Sequence, residues 1–150
     1  MKSVLMVCMG NICRSPVAEG IARLRARERG LDLTVDSAGT HGYHVGAAPD
    51  PRSVAVAKRR GIDLSGLRAR RLTAADGENF DLILVMDDRN HRDALAILPP
   101  HTHHKVHLIL KWTPHCGYTH VPDPYYGTVD DFELMIDLLW PAVTAALTTL

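Results

Sequence analysis

The segment that most constrains the fold of this chain lies near its amino terminus and is Cys8-Met9-Gly10-Asn11-Ile12-Cys13-Arg14-Ser15-Pro16. It follows a short apolar run, Val4–Val7, which is typical of a buried strand. It leads into residues 17–24, whose pattern predicts a helix. Ser15 is a natural N-cap, and Pro16 suits the first helical position. The sequence therefore predicts a strand, a tight loop and the start of a helix.

The predicted loop has the composition of an anion-binding site. Gly10 and Asn11 readily adopt positive φ, so the loop can curl with its backbone N–H groups pointing inward. The positive end of the helix dipole and the forked guanidinium of Arg14 both favour a bound phosphate. The same charges favour the thiolate of Cys8, which can attack phosphorus and form a phosphocysteine. The alternative is a buried structural cysteine beside a surface arginine.

Two separated motifs resemble the low-molecular-weight protein tyrosine phosphatases. Cys8–Ser15 resembles their signature C-x-G-N-I-C-R-S, and residues 123–127, Asp-Pro-Tyr-Tyr-Gly, resemble their second motif. Residues 36–40 and 86–90 are also similar to the family, so the resemblance covers essentially the whole chain. It implies hydrolysis of protein phosphotyrosine and small aryl phosphates through a phosphocysteine intermediate, with no metal or other cofactor.

Strands and helices alternate along the chain, which predicts an α/β fold with a parallel sheet covered by helices on both faces. We expect strands at Lys2–Val7, Leu33–Ser37, Phe80–Val85 and Lys105–Leu110. We expect helices at Pro16–Arg29, Pro51–Arg60, Asp88–Leu98 and Val129–Leu147, the last with a kink at Pro141. A chain of 150 residues is most simply a single domain, 1–150. The resemblance implies four strands in the order 2-1-3-4.

The resemblance assigns catalytic roles to three residues. It implies that Cys8 is the nucleophile, that Arg14 holds the phosphate oxygens and that Asp123 is the general acid and then the base. From the residues alone, Asp123-Pro124 is only a turn signal. The other loop residues are expected at the substrate: Met9, Gly10, Asn11, Ile12, Cys13 and Ser15.

The resemblance also implies a supporting network behind the loop. Ser15 corresponds to the family serine whose hydroxyl supports the thiolate, although a helix N-cap is an equal alternative. Asn11 corresponds to the residue that keeps the loop in shape through partners that include Ser37. Some relatives use a histidine before Gly-Ile in this network, and this chain has Arg60 there.

The rim of the cleft is expected to select the substrate. Tyr43 matches the aromatic position that lines the family's cleft, and we expect Tyr125 to face it, with His44 at a variable rim position. Tyr126 is expected to pack, with phosphorylation as the alternative. Relatives that act on phosphoarginine carry threonine at the position of Ile12, so isoleucine favours phosphotyrosine.

Three cysteines and four clustered histidines require separate interpretation. In some relatives the cysteine that matches Cys13 forms a disulfide with the nucleophile under oxidation, and a buried filler is the alternative. Cys116 is expected to be structural. The histidines at 101, 103, 104 and 107 lack the cysteine or carboxylate that would close a tetrahedral metal site, so we predict a solvated loop.

The charge distribution fits a phosphorylated partner. Residues 1–75 carry 13 Lys and Arg against 6 Asp and Glu, whereas residues 76–150 carry 4 against 11. No nucleic-acid reader motif, signal peptide or stretch of transmembrane length is found. We therefore expect a cytoplasmic protein that binds neither nucleic acid nor membrane. The resemblance to bacterial members implies a phosphotyrosine protein partner, such as a tyrosine kinase, and a monomer or weak dimer.

Two other functions are compatible with parts of this pattern. A thiol-dependent arsenate reductase shares the fold and the loop, but it passes oxidation along further cysteines, and only Cys13 and Cys116 are available here. A catalytically silent module that binds phosphoproteins would need neither Cys8 nor Asp123.

Overall fold

The computed structural model of the protein describes residues 2–150. Its strands are β1 (Lys2–Cys8), β2 (Leu33–Gly39), β3 (Leu82–Val85) and β4 (Val106–Leu108). Its α-helices are α1 (Arg14–Arg29), α2 (Pro51–Lys58), α3 (Ala74–Asn79), α4 (Asp88–Ile97) and α5 (Val129–Leu147). Two 3-10 helices flank β4, at Pro100–Lys105 and Ile109–Trp112.

The four strands form one parallel sheet in the order β2-β1-β3-β4, which confirms the predicted order. β1 pairs with β2 over its whole length and ends with Cys8 opposite Gly39. A Cβ atom at Gly39 would lie 2.7 Å from the carbonyl oxygen of Met9. Glycine therefore allows the end of β2 to approach the loop that follows β1.

Helices cover both faces of the sheet, as the sequence predicts. Alternate residues of β1 point to opposite faces. Val4 and Met6 belong to a core that includes residues of α1, α2 and α5, whereas Leu5 and Val7 belong to a second core that includes residues of α4. Because the central strand is buried on both sides, its carboxyl end is held rigidly at the edge where Cys8 lies.

The first helix begins two residues earlier than predicted. It starts at Arg14, its N-cap is Cys13, and no side chain caps it. The prediction that Ser15 is the N-cap, with Pro16 at the first helical position, is therefore wrong. Asn11 has a φ of 58°, in the left-handed region, and this turn brings the chain into the helix early. The hydroxyl of Ser15 is thereby released for a bond to Cys8.

Other boundaries differ by a few residues. β2 continues to Gly39, α2 ends at Lys58, and β4 has only three residues because 3-10 turns adjoin it on both sides. The short helix α3 was missed; its Thr73–Asp76 capping box is a local signal, but six residues carry little periodicity. Pro141 lies inside α5, and the kink expected there stays a prediction. None of the helices in the described part of the chain has the length and hydropathy needed to cross a bilayer.

Candidate active site

A cleft of about 220 Å³ opens at the carboxyl end of β1, above the loop 9–13 that connects β1 to α1. Eleven predicted site residues line it: Cys8, Met9, Gly10, Ile12, Cys13, Arg14, Tyr43, His44, Asp123, Tyr125 and Tyr126. Asn11, Ser15 and Ser37 do not line the cleft and lie buried behind it. Asn11 and Ser15 were expected at the substrate, so the structure gives their side chains a different place.

The backbone N–H groups of the loop are free to bind an anion. Within residues 2–150, no N–H group of residues 9–13 donates a hydrogen bond to another residue. The carbonyls of Cys8, Met9 and Ile12 instead accept hydrogen bonds of 2.8–3.0 Å from N–H groups of the segment 40–50. Because the C=O and N–H of a trans peptide point in opposite directions, the N–H groups that follow those carbonyls point away from this segment. Such a curl of unpaired donors is an anion site.

A chain of hydrogen bonds runs from the Cys8 sulfur into the protein interior. The hydroxyl oxygen of Ser15 lies 3.0 Å from Cys8 Sγ. Asn11 Nδ2 donates to Ser15 Oγ at 2.7 Å and to Ser37 Oγ at 2.9 Å. Ser37 Oγ in turn donates to Glu19 Oε1 at 2.6 Å. The four side chains behind Cys8 are all buried.

The chemistry of these groups fixes the direction of the bonds. Glu19, paired with an arginine, can only accept, so it takes the hydroxyl proton of Ser37. The two amide hydrogens of Asn11 are used by the two serines. The hydroxyl proton of Ser15 is therefore left for Cys8 Sγ, where it stabilises a thiolate. Sequence analysis missed Glu19, because one glutamate in a charged helix carries no signal of its own.

Arg70, rather than Arg60, completes the bonding of Asn11. The backbone N–H of Arg70 donates to Asn11 Oδ1 at 3.0 Å, and its guanidinium pairs with two carboxylates at 3.0 Å. Arg60 lies elsewhere and donates to two carboxylates of α5. Arg60, which stands where some relatives have a histidine, therefore takes no part in this network. A backbone donor on a different segment takes part instead, and a backbone donor has no residue-type signature.

Arg14 is buried below the cleft, and one side of its guanidinium is bonded to the protein. Nη1 donates to Asp87 Oδ2 at 2.6 Å and to the carbonyl of Val121 at 2.9 Å. Nη2 lies 3.6 Å from Asp123 Oδ2. No described residue accepts a hydrogen bond from Nε or Nη2, so that edge is available to an oxyanion. Burial alone would lower the pKa of Arg14, but the Cys8 thiolate and the nearby carboxylates raise it above its ordinary value.

Asp87 has two structural tasks that sequence analysis did not find. Its Oδ2 accepts the bond from Arg14, and its Oδ1 accepts from the backbone N–H of Asn90 at 2.8 Å. The second bond makes Asp87 the N-cap of α4. The carboxyl end of β3 and the start of α4 thus fix the position of the guanidinium. An N-cap aspartate is common, so nothing in the sequence distinguished this one.

Asp123 lies at the mouth of the cleft with 43% of its side chain exposed. Its Oδ1 accepts a hydrogen bond of 3.1 Å from the backbone N–H of Tyr125. Its Oδ2 faces the Nη2 of Arg14. A carboxyl group that is open to water, yet directed at the anion site, is positioned to exchange protons with a bound substrate.

Two charged residues at the start of α2 connect the halves of the cleft, and we name them the Asp50–Arg52 bracket. Asp50 donates its backbone N–H to the carbonyl of Ile12 at 2.8 Å. Arg52 pairs with the Asp50 carboxylate at 2.9 Å and donates to the carbonyls of Tyr125 at 2.9 Å and Gly127 at 3.3 Å. The loop below the phosphate site and the turn that carries Asp123 are thereby held together. Sequence analysis assigned neither Asp50 nor Arg52 to the cleft.

The rim of the cleft is aromatic, but its rings contact different partners from those expected. Tyr43 was predicted to face Tyr125. Instead the ring of Tyr43 meets His41 at 5.0 Å, and the ring of Tyr125 meets His44 at 6.1 Å. Tyr126 contacts Tyr125 edge-on at 4.9 Å and is 97% exposed, so the prediction that it packs is wrong. His41 also lines the cleft and was not predicted.

The three cysteines are free thiols in distinct environments. Burial, followed by the negative charge of Asp50 and Cys8, raises the pKa of the Cys13 thiol to about 12. Cys13 therefore stays protonated at neutral pH, although it lines the same cleft as Cys8. Cys116 lies outside the cleft and donates from Sγ to the carbonyl of Tyr118 at 3.2 Å.

The clustered histidines bond to separate partners. His101, His103 and His107 bond respectively to a glutamate, a backbone carbonyl and a lysine. In residues 2–150, no group of three or more His, Cys, Asp and Glu side chains is arranged to hold a metal ion.

Comparisons with known proteins identify relatives over nearly the whole chain. The profile of the family described as low molecular weight phosphotyrosine protein phosphatase matches residues 3–150. A curated member from Homo sapiens is 41% identical over 136 residues, which cover 88% of this chain and 85% of that protein. A curated low molecular weight protein-tyrosine-phosphatase from Streptomyces coelicolor is 40% identical over 150 residues, covering 96% and 90%.

Solved structures agree with the fold. A protein tyrosine phosphatase from Entamoeba histolytica, with Hepes in its active site, matches with a TM-score of 0.95 and 34% identity over 99% of this chain and 96% of that chain. YfkJ from Bacillus subtilis matches with a TM-score of 0.93 and 34% identity, covering 99% and 94%. The sheet, the cleft and these similarities all point to one family.

Proposed function

This chain belongs to the low molecular weight phosphotyrosine protein phosphatase family, and we propose that it hydrolyses protein phosphotyrosine through a phosphocysteine on Cys8. The observation that carries the proposal is the set of unpaired N–H groups in the loop 9–13, which lines one cleft together with Cys8 and Arg14. These donors can bind the three equatorial oxygens of a phosphate while the sulfur lies below phosphorus.

In the first step the Cys8 thiolate attacks phosphorus and the bond from phosphorus to the tyrosine oxygen breaks. The S–P bond forms with the electron pair of the thiolate, and the leaving phenolate takes a proton from Asp123. The half-exposed carboxyl group of Asp123 supports this role, because it can be reprotonated from water. Arg14 and the loop N–H groups stabilise the charge that develops on the equatorial oxygens.

In the second step water attacks the phosphocysteine. Asp123, now a carboxylate, takes a proton from the water; the O–P bond forms and the S–P bond breaks. The electron pair returns to sulfur, where the hydroxyl of Ser15 donates a hydrogen bond to the departing thiolate. Inorganic phosphate leaves, and the enzyme is restored. Arg14 and the loop amides supply the positive field, so no step requires a metal ion.

The proposed substrate is a phosphotyrosine side chain of a protein. Tyr43, His44 and Tyr125 line the mouth of the cleft and can contact a phenyl ring, while the thiolate lies at its floor. Cys8 itself is only 2% exposed, so a short phosphoserine would have difficulty reaching it. We also propose that the protein acts as a monomer or weak dimer in the cytoplasm on a phosphotyrosine protein such as a bacterial tyrosine kinase.

A panel of substrates tests this function. The protein is assayed with phosphotyrosine, phosphoserine and phosphoarginine peptides and, with a thiol reductant, with arsenate. We expect turnover of phosphotyrosine alone, unchanged by EDTA, and none in Cys8→Ser, which should still bind vanadate. Arsenate reduction would favour the reductase, dependence on added zinc would contradict metal independence, and binding without turnover would favour a silent module.

A further inference from the structure

A second concave surface lies beside the catalytic cleft. We name it the Arg71 recess; it has a volume of about 320 Å³ and is lined by Thr40, His41, Gly42, Tyr43 and Arg71. His41 and Tyr43 line both the recess and the catalytic cleft, so they form a shared wall between them.

The guanidinium of Arg71 has no partner in the protein. Within residues 2–150 its side chain donates no hydrogen bond and forms no ion pair, whereas the arginines that brace the cleft are all paired with carboxylates. Arg14 pairs with Asp87, and Arg52 pairs with Asp50. Arg71 is thus an unneutralised cation next to the cleft, and no described carboxylate competes for it.

The backbone of Arg71 is nevertheless fixed. The N–H of Gly39 donates to the carbonyl of Arg70 at 2.9 Å, and the N–H of Leu72 donates to the carbonyl of Gly39 at 2.8 Å. These two bonds tie the residues on either side of Arg71 to the end of β2. The side chain of Arg71 lies against Gly42. A Cβ atom at position 42 would be 3.6 Å from the Cδ of Arg71.

The backbone fixes the shared wall, and Thr40 of the recess has an unpaired hydroxyl in the described part of the chain. The backbone N–H of His41 donates to the carbonyl of Met9 at 2.9 Å, which holds the wall against the phosphate-binding loop. The hydroxyl of Thr40 is buried and has no hydrogen-bond partner among residues 2–150. The recess is therefore held in place relative to the cleft, and it carries the positive charge of Arg71 and one hydroxyl, that of Thr40, left unpaired by the described residues.

We propose that the Arg71 recess binds the carboxylate of an aspartate or glutamate that neighbours the phosphotyrosine in a protein substrate. The proposal rests on the function proposed above and adds a preference for acidic sequence around the target tyrosine. A carboxylate matches the forked donors of a guanidinium. One or two residues of extended peptide, at about 3.3 Å each, carry a neighbouring side chain across the shared wall.

Peptide kinetics test the preference. One phosphotyrosine peptide with alanine at the two positions on each side is compared with versions that carry a single glutamate at each of those positions. We expect kcat/KM to rise about two- to five-fold for at least one glutamate peptide, the size of an exposed ion pair. The rise should shrink as salt is added, because ions screen the pair.

Variants assign the preference to the recess. Arg71→Ala should remove it and Arg71→Glu should invert it, whereas Arg68→Ala should retain it. Arg68 is the matched control, because it is an exposed arginine on the same segment that lines neither the cleft nor the recess. A preference that survives Arg71→Ala, or is equally lost in Arg68→Ala, would overturn the proposal.

A small aryl phosphate separates this proposal from the function on which it rests. If the wild type hydrolyses the aryl phosphate but shows no preference among the peptides, only the recess proposal fails. If it hydrolyses neither, the proposed function fails. The affinity of Cys8→Ser protein for the glutamate and alanine peptides then still decides whether the recess binds a carboxylate.

Discussion

The hydroxyl oxygen of Ser15 lies 3.0 Å from the sulfur of Cys8, and Asn11 donates to that same oxygen. Because Asn11 occupies the oxygen as a donor, the hydroxyl proton of Ser15 is directed at the sulfur. The network behind the loop therefore directs a hydrogen-bond donor at the sulfur, and such a donor stabilises negative charge on the sulfur when it attacks and when it departs.

Ser15→Ala should lower kcat for aryl phosphates by roughly ten- to a hundred-fold, because a hydrogen bond to a charged group contributes about 1.5–3 kcal/mol. Pre-steady-state kinetics should locate the loss in breakdown of the phosphocysteine, when the thiolate departs. Ser37→Ala, two hydrogen bonds farther from the sulfur, should have a smaller effect. Wild-type turnover in Ser15→Ala would contradict this role.

Asp123→Asn should lower turnover by about 10²–10⁴, and the loss should grow as the leaving group becomes more basic. A good leaving group departs without a proton, whereas a tyrosine-like phenolate does not. A series of aryl phosphates with different leaving-group pKa values measures this dependence. Equal losses across the whole series would remove the general-acid role.

Asp87→Asn should weaken phosphate binding while the protein remains folded. Asparagine is a good N-cap, so α4 keeps its cap, but Arg14 loses its charged partner. The inhibition constant for inorganic phosphate should rise several-fold. Asp87→Ala should in addition lose about 1 kcal/mol of unfolding free energy, since the cap is removed. Unchanged phosphate inhibition in both variants would show that Asp87 does not position Arg14.

Arg52→Met should separate the turn that carries Asp123 from the loop below the phosphate site, because the Asp50–Arg52 bracket is lost. We expect a lower kcat with basic leaving groups and little change with good ones. Arg52→Lys, which keeps the charge, should recover part of the activity. A uniform loss with every leaving group would indicate general destabilisation instead.

Cys13 should make the stability of the protein sensitive to alkaline pH. Its thiol has a pKa raised from 9.0 to about 12, so the folded state retains a proton that the unfolded state releases above pH 9. The associated stability is complete below pH 9 and declines between pH 9 and pH 12, by up to about 1.4 kcal/mol per pH unit. Urea unfolding of wild type and Cys13→Ser from pH 8 to pH 11 measures it. Parallel curves for the two proteins would contradict the assignment.

Much of the fold could be predicted because its signals are local. The apolar run before Cys8 predicted a strand, and the segments that begin at Pro16 and Pro51 were predicted to be helices; the structure contains all three elements. The start of α1 was misplaced because Ser15 and Pro16 are good terminal residues, whereas the actual turn depends on the left-handed conformation of Asn11. Local preference was overridden there by the geometry of the loop.

The residues at the floor of the cleft could also be predicted from the sequence, because they form one contiguous motif. The residues that support this floor from behind could not be predicted. Glu19, Arg52 and Asp87 act through partners that are far away in the chain, and each looks like an ordinary surface or capping residue. The unpaired state of Arg71 is likewise a property of the folded arrangement, because it depends on which carboxylates are near.

The most direct test of the central claim is to trap the intermediate. Wild-type protein in turnover with an aryl phosphate is quenched rapidly in acid, and its peptides are mapped by mass spectrometry. The account predicts one added phosphoryl group on Cys8, with none on Cys13, and none anywhere in Cys8→Ser. A phosphoryl group on another residue, or full turnover without any covalent phosphoenzyme, would contradict it.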